Sequence, residues 1–139
     1  MSQQNVEIVR GLYGDFARGV FWNAAPLFAP EVVLKRIGGE FSDAFPGEWR
    51  GIEAFTAGQL EYIEAFEDLR VQGEEFFDLG DRVLVLVRHR GKGRESGLPY
   101  DREVADLLTL RDGVVVRWEG YWDRTEALEA VGLREADRR

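Results

Sequence analysis

The second half of the chain consists of apolar runs that alternate with turn residues, and this pattern restricts the fold more than any other feature of the sequence. It predicts three strands at 82–90, 102–110 and 114–121, with turns at 78–81, 91–99 and Asp112-Gly113. Connections this short join antiparallel neighbours. The residues before Leu69 are mainly helical in pattern, and helices followed by a meander of strands are typical of an α+β fold.

Three helices are predicted ahead of this meander. Apolar residues recur at helical spacing over 6–20, and Gly19 is expected to end the first helix. Asn23 resembles an N-cap, which predicts a short second helix over 23–28 that Pro30 stops. The third helix is predicted over 52–66, with its apolar residues on one face.

A strand at 31–37 and a long loop at 38–51 are predicted between the second and third helices. Long loops in compact domains often cover functional sites. The loop carries Phe41, Phe45 and Trp49. We therefore expect these aromatic side chains to line the mouth of a pocket, and the loop to be more mobile than the sheet.

The end of the chain predicts a last short helix. Asp123, followed three residues later by Glu126, forms a capping-box pattern, and Gly132 is placed to close the helix. No repeat or linker interrupts residues 1–133, which we interpret as a single domain. Residues 134–139 are expected to form a frayed tail.

Composition excludes several classes of site. The chain has 139 residues with no cysteine and one histidine, which rules out disulfides, thiolate zinc sites and cysteine nucleophiles. The glycines of Gly91-Lys92-Gly93 lack the strand–turn–helix setting of a phosphate loop. We predict neither a metal nor a cofactor.

Charge and hydropathy indicate which binding partners and which cellular location to expect. The net charge of -8 disfavours nucleic acid, whose binders usually present a basic face, and the basic cluster at 88–94 is interpreted as a solvated hairpin loop. The first residues lack the pattern of a signal peptide, and no apolar run approaches the ~20 residues that span a bilayer. We expect a cytoplasmic protein that binds neither nucleic acid nor membrane.

Strand alternation identifies the side chains that point inward. In 82–90 the even positions carry three arginines, which cannot all be buried unpaired, so the odd positions that end with His89 are predicted inside. In 114–122 the even positions, which include Trp118, are predicted inside. In 31–37 the even positions are expected to point in, which places Arg36 inside.

The register of the last hairpin decides where Asp106 points. A three-residue loop pairs Leu110 with Val114 and puts Asp106 opposite Trp118 on the inner face. A two-residue Asp-Gly loop would instead pair Asp106 with Glu119 on the outer face. We favour the first register because like charges directly opposite each other are unfavourable.

The inner face is thus expected to gather Asp106, His89 and Arg36 among apolar side chains. Burial raises the pKa of a carboxyl group and would let Asp106 donate a proton or a hydrogen bond near neutral pH, where His89 titrates by default. An apolar cavity with a few convergent polar groups is typical of a ligand site. The alternative is that the three side chains satisfy one another as a buried structural network, surrounded by plain aromatic core.

Several segments within residues 4–133 resemble one known family. They are NVEIVRGLY at 5–13, FAPEV at 28–32, WRGIEAF at 49–55, LRDGVVVRW at 110–118 and Trp122-Asp123. In these segments the chain resembles the SnoaL-like branch of the nuclear transport factor 2-like superfamily. The resemblance implies a cone-shaped α+β fold, with N-terminal helices packed on a strongly curved, mostly antiparallel sheet. It does not imply one function, because this superfamily contains enzymes and non-enzymes on one scaffold.

The ketosteroid isomerases of this superfamily supply one partial match to a catalytic set. Their carboxylate base falls on Arg36, which cannot accept a proton. Their oxyanion-binding tyrosine falls on Leu12, with Tyr13 one residue away in a different helical direction. Their protonated aspartate falls on Asp106 and is kept, which implies a neutral acid that donates a hydrogen bond.

The polyketide cyclases and limonene epoxide hydrolases of the superfamily match less completely. They share an aspartate late on the last strand, where this chain has Gly120. The histidine that accompanies it in the cyclases falls on Asp106, and a further acid of the hydrolases falls near His89. No catalytic set known in the superfamily is therefore complete in this chain.

We interpret the chain as a SnoaL-like binder of a small apolar or amphipathic molecule. The alternative is an isomerase-, cyclase- or hydrolase-type enzyme that acts on a small apolar carbonyl or hydroxyl compound. In that case Asp106 would donate to the developing oxyanion, His89 would shuttle the proton and Arg36 would hold an anionic group. The other expected ligand-binding residues are Phe16, Trp49, Phe55, Gln59, Tyr62 and Trp118.

The outer face of the sheet is predicted to mix apolar and charged side chains. It is expected to carry Leu107, Val115 and Tyr121 beside Arg117 and Glu119. A face of this kind favours self-association, and the resemblance implies sheet-to-sheet dimers. We therefore expect a homodimer through the outer sheet face.

Overall fold

The computed structural model describes residues 2–21, 25–37 and 47–133, which form three helices and six strands. The helices are α1 (Ser2–Ala17), α2 (Ile52–Glu64) and α3 (Arg124–Ala130). The strands are β1 (Phe28–Ile37), β2 (Glu48–Arg50), β3 (Phe66–Asp78), β4 (Arg82–Gly93), β5 (Pro99–Arg111) and β6 (Val114–Tyr121).

The six strands form one sheet in the order β2-β1-β6-β5-β4-β3. β1 is parallel to β6, and every other pair of neighbours is antiparallel. Register shifts interrupt three of these pairings, and bulges of this kind bend and twist the strands that contain them. The predicted α+β fold, with helices packed on a mostly antiparallel sheet, is confirmed.

α1 is an amphipathic helix whose apolar stripe covers the inner face of the sheet. Val9, Leu12 and Tyr13 are almost fully buried, and the helix packs mainly against β3. Gly19 ends the helix as predicted: its φ of 77° lets its N–H bond to the carbonyl of Phe16. No helix in the described part of the chain is long and apolar enough to cross a membrane.

The predicted second helix, over 23–28, is shorter and of a different type where the structure describes it. Only a 3-10 turn is present, at Ala25–Leu27, and Asn23 lies outside the described residues. Pro30 does not stop a helix but lies inside β1. This is possible because the pairing of β1 with β6 is interrupted between Phe28 and Val33, so no ladder hydrogen bond is required from a residue without an N–H.

Other predicted boundaries also shift. The third helix ends at Glu64 rather than at residue 66. Part of the predicted loop is a strand, because β2 (Glu48–Arg50) pairs with β1, whereas Phe41 and Phe45 lie outside the described residues. The turn predicted at 91–99 is shorter, since pairing between β4 and β5 continues as far as Lys92 and Pro99. The predicted frayed tail at 134–139 also lies outside the described residues.

A second apolar cluster lies on the outer face of the sheet, under α3. Leu84, Leu86 and Leu107 pack there against Ala127 and Leu128 of the helix. Asp123 caps α3 as predicted, with Oδ1 accepting from the N–H groups of Thr125 and Glu126. α3 therefore covers apolar residues of the outer face, contrary to the prediction that this face is bare.

Arg124 fastens α3 to the sheet. Its guanidinium donates to the backbone carbonyls of Val104 and Val87 at 3.1 and 2.8 Å, and it pairs with Glu74 at 2.6 Å. These bonds reach three strands from one side chain that is only 10% exposed. The helix is thus held by directed polar bonds as well as by its apolar face.

Candidate functional site

A cavity of about 160 Å³ lies between the inner face of the sheet and the helices α1 and α2. Its wall is mainly aromatic and aliphatic, and Phe21 and Phe28 contribute to it beside residues that the sequence predicted. Eight of the nine predicted site residues line it, namely Arg36, His89, Asp106, Phe16, Phe55, Gln59, Tyr62 and Trp118. The tertiary structure therefore brings them together, while their roles remain predictions.

The polar residues are concentrated at one end of the cavity. Arg36 comes from β1, His89 from β4 and Asp106 from β5, and α2 adds Gln59. Alternation along each strand turns these three strand residues to the inner face, as predicted. Apart from the exposed Thr56 on α2, the remainder of the wall is mainly apolar, so a ligand would meet charged groups at one end only.

The hairpin between β5 and β6 aims Asp106 inward, although not in the predicted register. The connection is a two-residue turn, in which Asp112 and Gly113 have φ values of 53° and 81°, and Arg111 pairs with Val114. A bulge then adds one residue to β6, so Asp106 pairs with Gly120 and not with Trp118.

The bulge changes two predicted features, the register between β5 and β6 and the face on which Val115 lies. The predicted register differs from the observed one by two residues, and an even shift preserves the face on which a side chain lies. Asp106 is inside for this reason, and it also avoids Glu119, which pairs with Leu107. Val115, expected on the outer face, is fully buried in the inner core because it lies beside the bulge.

Asp106 is buried and accepts a hydrogen bond from a residue of α1. The hydroxyl of Tyr13 donates to Oδ2 of Asp106 at 2.5 Å. Burial raises the pKa of Asp106 from 3.8 to about 6, against the opposing effects of Tyr13, Trp118 and the positive charge of Arg36. The carboxyl group therefore changes its protonation state close to neutral pH.

Tyr13 was not predicted as a partner of Asp106. The resemblance aligned the tyrosine of the ketosteroid isomerases with Leu12, yet Tyr13 is the residue that reaches the carboxylate. One signal was available: Tyr13 lies in the apolar stripe of α1, and a buried tyrosine usually finds a partner for its hydroxyl. Tyr13 does not line the cavity, and it contacts Asp106 from the α1 side.

His89 is held in a chain of hydrogen bonds with two tyrosines. Its Nδ1 lies 2.7 Å from the hydroxyl of Tyr62, which lies 2.9 Å from the hydroxyl of Tyr100. Burial, with the nearby positive charges of Arg36 and Arg102, lowers the pKa of His89 to about 3. The expectation that His89 titrates near neutrality is therefore wrong, and the ring is neutral at physiological pH.

Arg36 is positioned by contacts on several sides. Its Nη2 donates to Oε1 of Gln59 at 3.2 Å and to the carbonyl of Gly58 at 3.4 Å. The guanidinium lies over the rings of Tyr62 and Trp49, at 5.1 and 5.3 Å from their centroids. Burial lowers the pKa of Arg36, but an arginine keeps its proton under these conditions, so the site retains one fixed positive charge.

Trp49 is the one predicted site residue that does not line the cavity. It lies on β2, where its ring packs on the backbone of Gly58 and over Arg36. A Cβ at residue 58 would come within 2.7 Å of that ring, so the contact requires glycine. The structure therefore places Trp49 behind Arg36 and not in the wall.

Within residues 2–21, 25–37 and 47–133, no three His, Cys, Asp or Glu side chains come together as a metal site requires. The groups at the polar end are one cation, one neutral imidazole and one carboxyl group that titrates near neutrality. Such a set can bind a ligand oxygen that either accepts or donates a hydrogen bond. Arg36 is a donor, and Asp106 accepts when it is ionised and donates when it is protonated.

Comparison with known proteins places these features in a family. Residues 9–118 match the family model of the SnoaL-like domain. An uncharacterised PhzA/B-like protein of Pseudomonas aeruginosa is 30% identical over 136 residues, which cover 94% of this chain and 89% of that protein.

Two solved structures show the same fold. An NTF2-like protein of unknown function from Burkholderia pseudomallei has a TM-score of 0.73 at 21% identity, covering 93% of this chain and 98% of its own. TerC, co-crystallised with polyporic acid, has a TM-score of 0.72 at 20% identity, covering 92% and 98%.

Proposed function

Since the chain belongs to the SnoaL-like domain family, we propose that it binds a compact, mainly apolar small molecule in the cavity between the helices and the sheet. The observation that carries this proposal is the separation of the wall into two parts. One is a broad apolar surface that includes Phe16, Phe55 and Trp118, and the other is a single polar end with Arg36 and Asp106. This division is typical of sites that orient a small molecule.

The size of the cavity limits the ligand. A volume of about 160 Å³ is close to that of engineered apolar cavities of ~150 Å³ that accept benzene. The described walls therefore suit a molecule with about one ring. Stacked and tilted aromatic side chains, such as Phe28 and Phe55 with Trp118, offer flat surfaces to such a ring.

The polar end selects the substituent on that ring. Arg36 favours a ligand oxygen that accepts hydrogen bonds or carries negative charge. Asp106 accepts from a ligand hydroxyl when it is ionised and donates to a carbonyl when it is protonated. A phenol, an enol or a ketone on a small ring would therefore fit better than a pure hydrocarbon or an amine.

A titration with small aromatic compounds tests the proposal. We expect phenol and benzaldehyde to shift the amide signals of residues around the cavity in nuclear magnetic resonance spectra, and benzylamine to bind less well. Thr56 lines the cavity but is exposed, so Thr56→Trp should obstruct the entrance without disturbing the core.

Ala57→Trp is the matched control, because the next residue of α2 is not part of the cavity wall. We expect binding to be lost in Thr56→Trp and kept in Ala57→Trp. Equal binding by both variants and the wild type would place the ligand elsewhere.

Acid–base catalysis on a small carbonyl or hydroxyl compound is the second candidate function. It is favoured by the pKa of Asp106 of about 6, because a general acid or base works best when its pKa lies near the working pH. Neutral His89 can then act as a hydrogen-bond donor or acceptor, whereas a proton shuttle would require a higher pKa. Turnover of a bound ketone by the wild type and its loss in Asp106→Asn would establish this function.

We also propose that the protein forms a homodimer, through the part of the outer sheet face that α3 does not cover. Leu107 and Tyr121 belong to the cluster under α3, and Val115 lies in the inner core. Arg117 and Glu119 keep partly exposed side chains on β6. A dimer through this face would therefore rest mainly on these charged residues of β6.

A further inference from the structure

A small second pocket borders the polar end of the cavity. Its volume is about 20 Å³, and it shares Arg36, His89, Asp106 and Gly120 with the wall of the larger cavity. Residues of the neighbouring strands and of the segment after β6 complete its wall. The two spaces therefore meet at the side chains that we assign to ligand binding.

Gly120 forms part of the wall of this pocket. It pairs with Asp106 across β5 and β6, so a side chain at residue 120 would project on the same face as the carboxyl group. A Cβ placed there would lie 3.5 Å from Oδ1 of Asp106, which is ordinary van der Waals contact. Residue 120 adds no side chain to this space, and a methyl group could be placed there without a clash.

The pocket has the size and the chemistry of a site for one oxygen atom. A cavity of roughly 10–15 Å³ holds a water molecule if two to four polar groups surround it. Here the volume is about 20 Å³, and a carboxyl group, a guanidinium and an imidazole face it. A purely apolar pocket of this size would stay empty, whereas these groups offer both donors and acceptors.

We propose that the pocket beside Gly120 is a subsite for a single hydroxyl-type oxygen, which is a water molecule in the free protein and a hydroxyl group of the ligand in the complex. The subsite deepens the proposed function, because it specifies that the ligand carries a hydroxyl group at the end that enters between Asp106 and Arg36. Its occupancy in the free protein does not depend on that function.

Crystal structures of the free wild type and of Gly120→Ala at high resolution test the first part. We expect one ordered oxygen within hydrogen-bond distance of Asp106 in the wild type, and none in the variant. A well-ordered wild-type pocket without that oxygen would overturn the proposal. Gly120 has no positive φ, so alanine is compatible with the strand, and Gly120→Ser provides a second variant whose own hydroxyl should displace the water.

Binding of phenol and toluene tests the second part, because the two probes share a ring and differ in the hydroxyl group. We expect the wild type to prefer phenol, and Gly120→Ala to reduce that preference by roughly two- to tenfold, the usual effect of one lost hydrogen bond. Gly14→Ala is the control, since Gly14 lies on α1 with open space around it.

The outcomes separate the two proposals. An unchanged preference for phenol in Gly120→Ala would overturn the subsite while leaving the cavity as the binding site. If neither phenol nor toluene binds to the wild type, the proposed class of ligand fails, and the ordered oxygen alone decides whether the subsite exists.

Discussion

The hydroxyl of Tyr13, on the first helix, donates a hydrogen bond of 2.5 Å to Oδ2 of Asp106, on the fifth strand. The two residues are separated by 93 positions in the sequence. This contact joins the helical layer to the polar end of the cavity. It also leaves Asp106 facing the cavity while one of its oxygens is held from the α1 side.

Replacing Tyr13 by phenylalanine should raise the pKa of Asp106 further above its present value of about 6, because the hydrogen bond favours the charged form. We expect the free energy of unfolding at pH 8 to fall by about 1–3 kcal/mol, since a buried carboxylate loses a partner. Carbon-13 shifts of the carboxyl group during a pH titration measure the pKa. An unchanged pKa in Tyr13→Phe would show that the contact does not act on the carboxylate.

Asp106 should make the protein more stable at lower pH, which is opposite to the usual behaviour of a salt-bridged aspartate. Its pKa in the folded state is about 6, above the reference value of 3.8, so the folded state binds the extra proton between these values. Its contribution is therefore present below about pH 4 and is lost as the pH rises through about 6, by about 1.4 kcal/mol per unit. Denaturant unfolding of the wild type and Asp106→Asn at several pH values measures this contribution as a difference.

At pH 8 we expect Asp106→Asn to be neutral or mildly stabilising, because it removes a charge from a buried position. A loss of roughly 3–5 kcal/mol would instead show that the carboxylate compensates Arg36 as a buried ion pair. That result would favour a structural network over a ligand site.

His89 should have the opposite effect on stability. Its pKa is lowered from 6.5 to about 3 in the folded state, so the unfolded state binds a proton that the folded state refuses. This contribution is present above about pH 6.5 and is lost as the pH falls toward 3. Between about pH 4 and 6 the slopes due to Asp106 and His89 therefore oppose each other.

A pair of variants reveals this compensation. Relative to the wild type, Asp106→Asn should lose stability as the pH falls from about 6 to 4, and His89→Gln should gain it over the same range. Chemical unfolding at each pH measures both curves. Parallel curves for the two variants would contradict the assigned protonation states.

Gly58→Ala should destabilise the protein even though alanine favours helices. The new Cβ would approach the ring of Trp49 to within 2.7 Å and force it away from Arg36, and overpacking of this kind typically costs about 1–3 kcal/mol. Thermal unfolding measures the loss. In the Trp49→Ala background the same change should be neutral or stabilising, and an equal cost in both backgrounds would contradict the packing assignment.

Self-association through β6 predicts a dimer in sedimentation velocity experiments at micromolar concentration. Arg117→Glu, which reverses the charge of a residue proposed to carry the interface, should shift the distribution toward monomer. Arg18→Glu, at an exposed position after α1, serves as the control and should leave the distribution unchanged. A clean monomer for the wild type would refute the predicted homodimer.

The inward direction of His89 and Asp106 could be deduced from the sequence, because alternation along a strand depends only on the parity of the position. The same local rules predicted the Asp123 cap and the Gly19 terminus. For Asp106 the deduction succeeded although the register was wrong, since the turn and the bulge together shifted the pairing by an even number.

Contacts between distant segments were decided only by the tertiary structure. No local pattern joins Tyr13 to Asp106, places Trp49 over Arg36 or turns α3 onto the outer face, because each depends on how separately formed elements pack. The pKa values also depend on both levels. The residue types set the ordinary pKa values of Asp106 and His89, and burial in the folded structure raises that of Asp106 to about 6 and lowers that of His89 to about 3. The sequence by itself thus determined which polar groups enter the interior, and the packed fold decided which of them are charged there, because desolvation depends on every neighbour that excludes water.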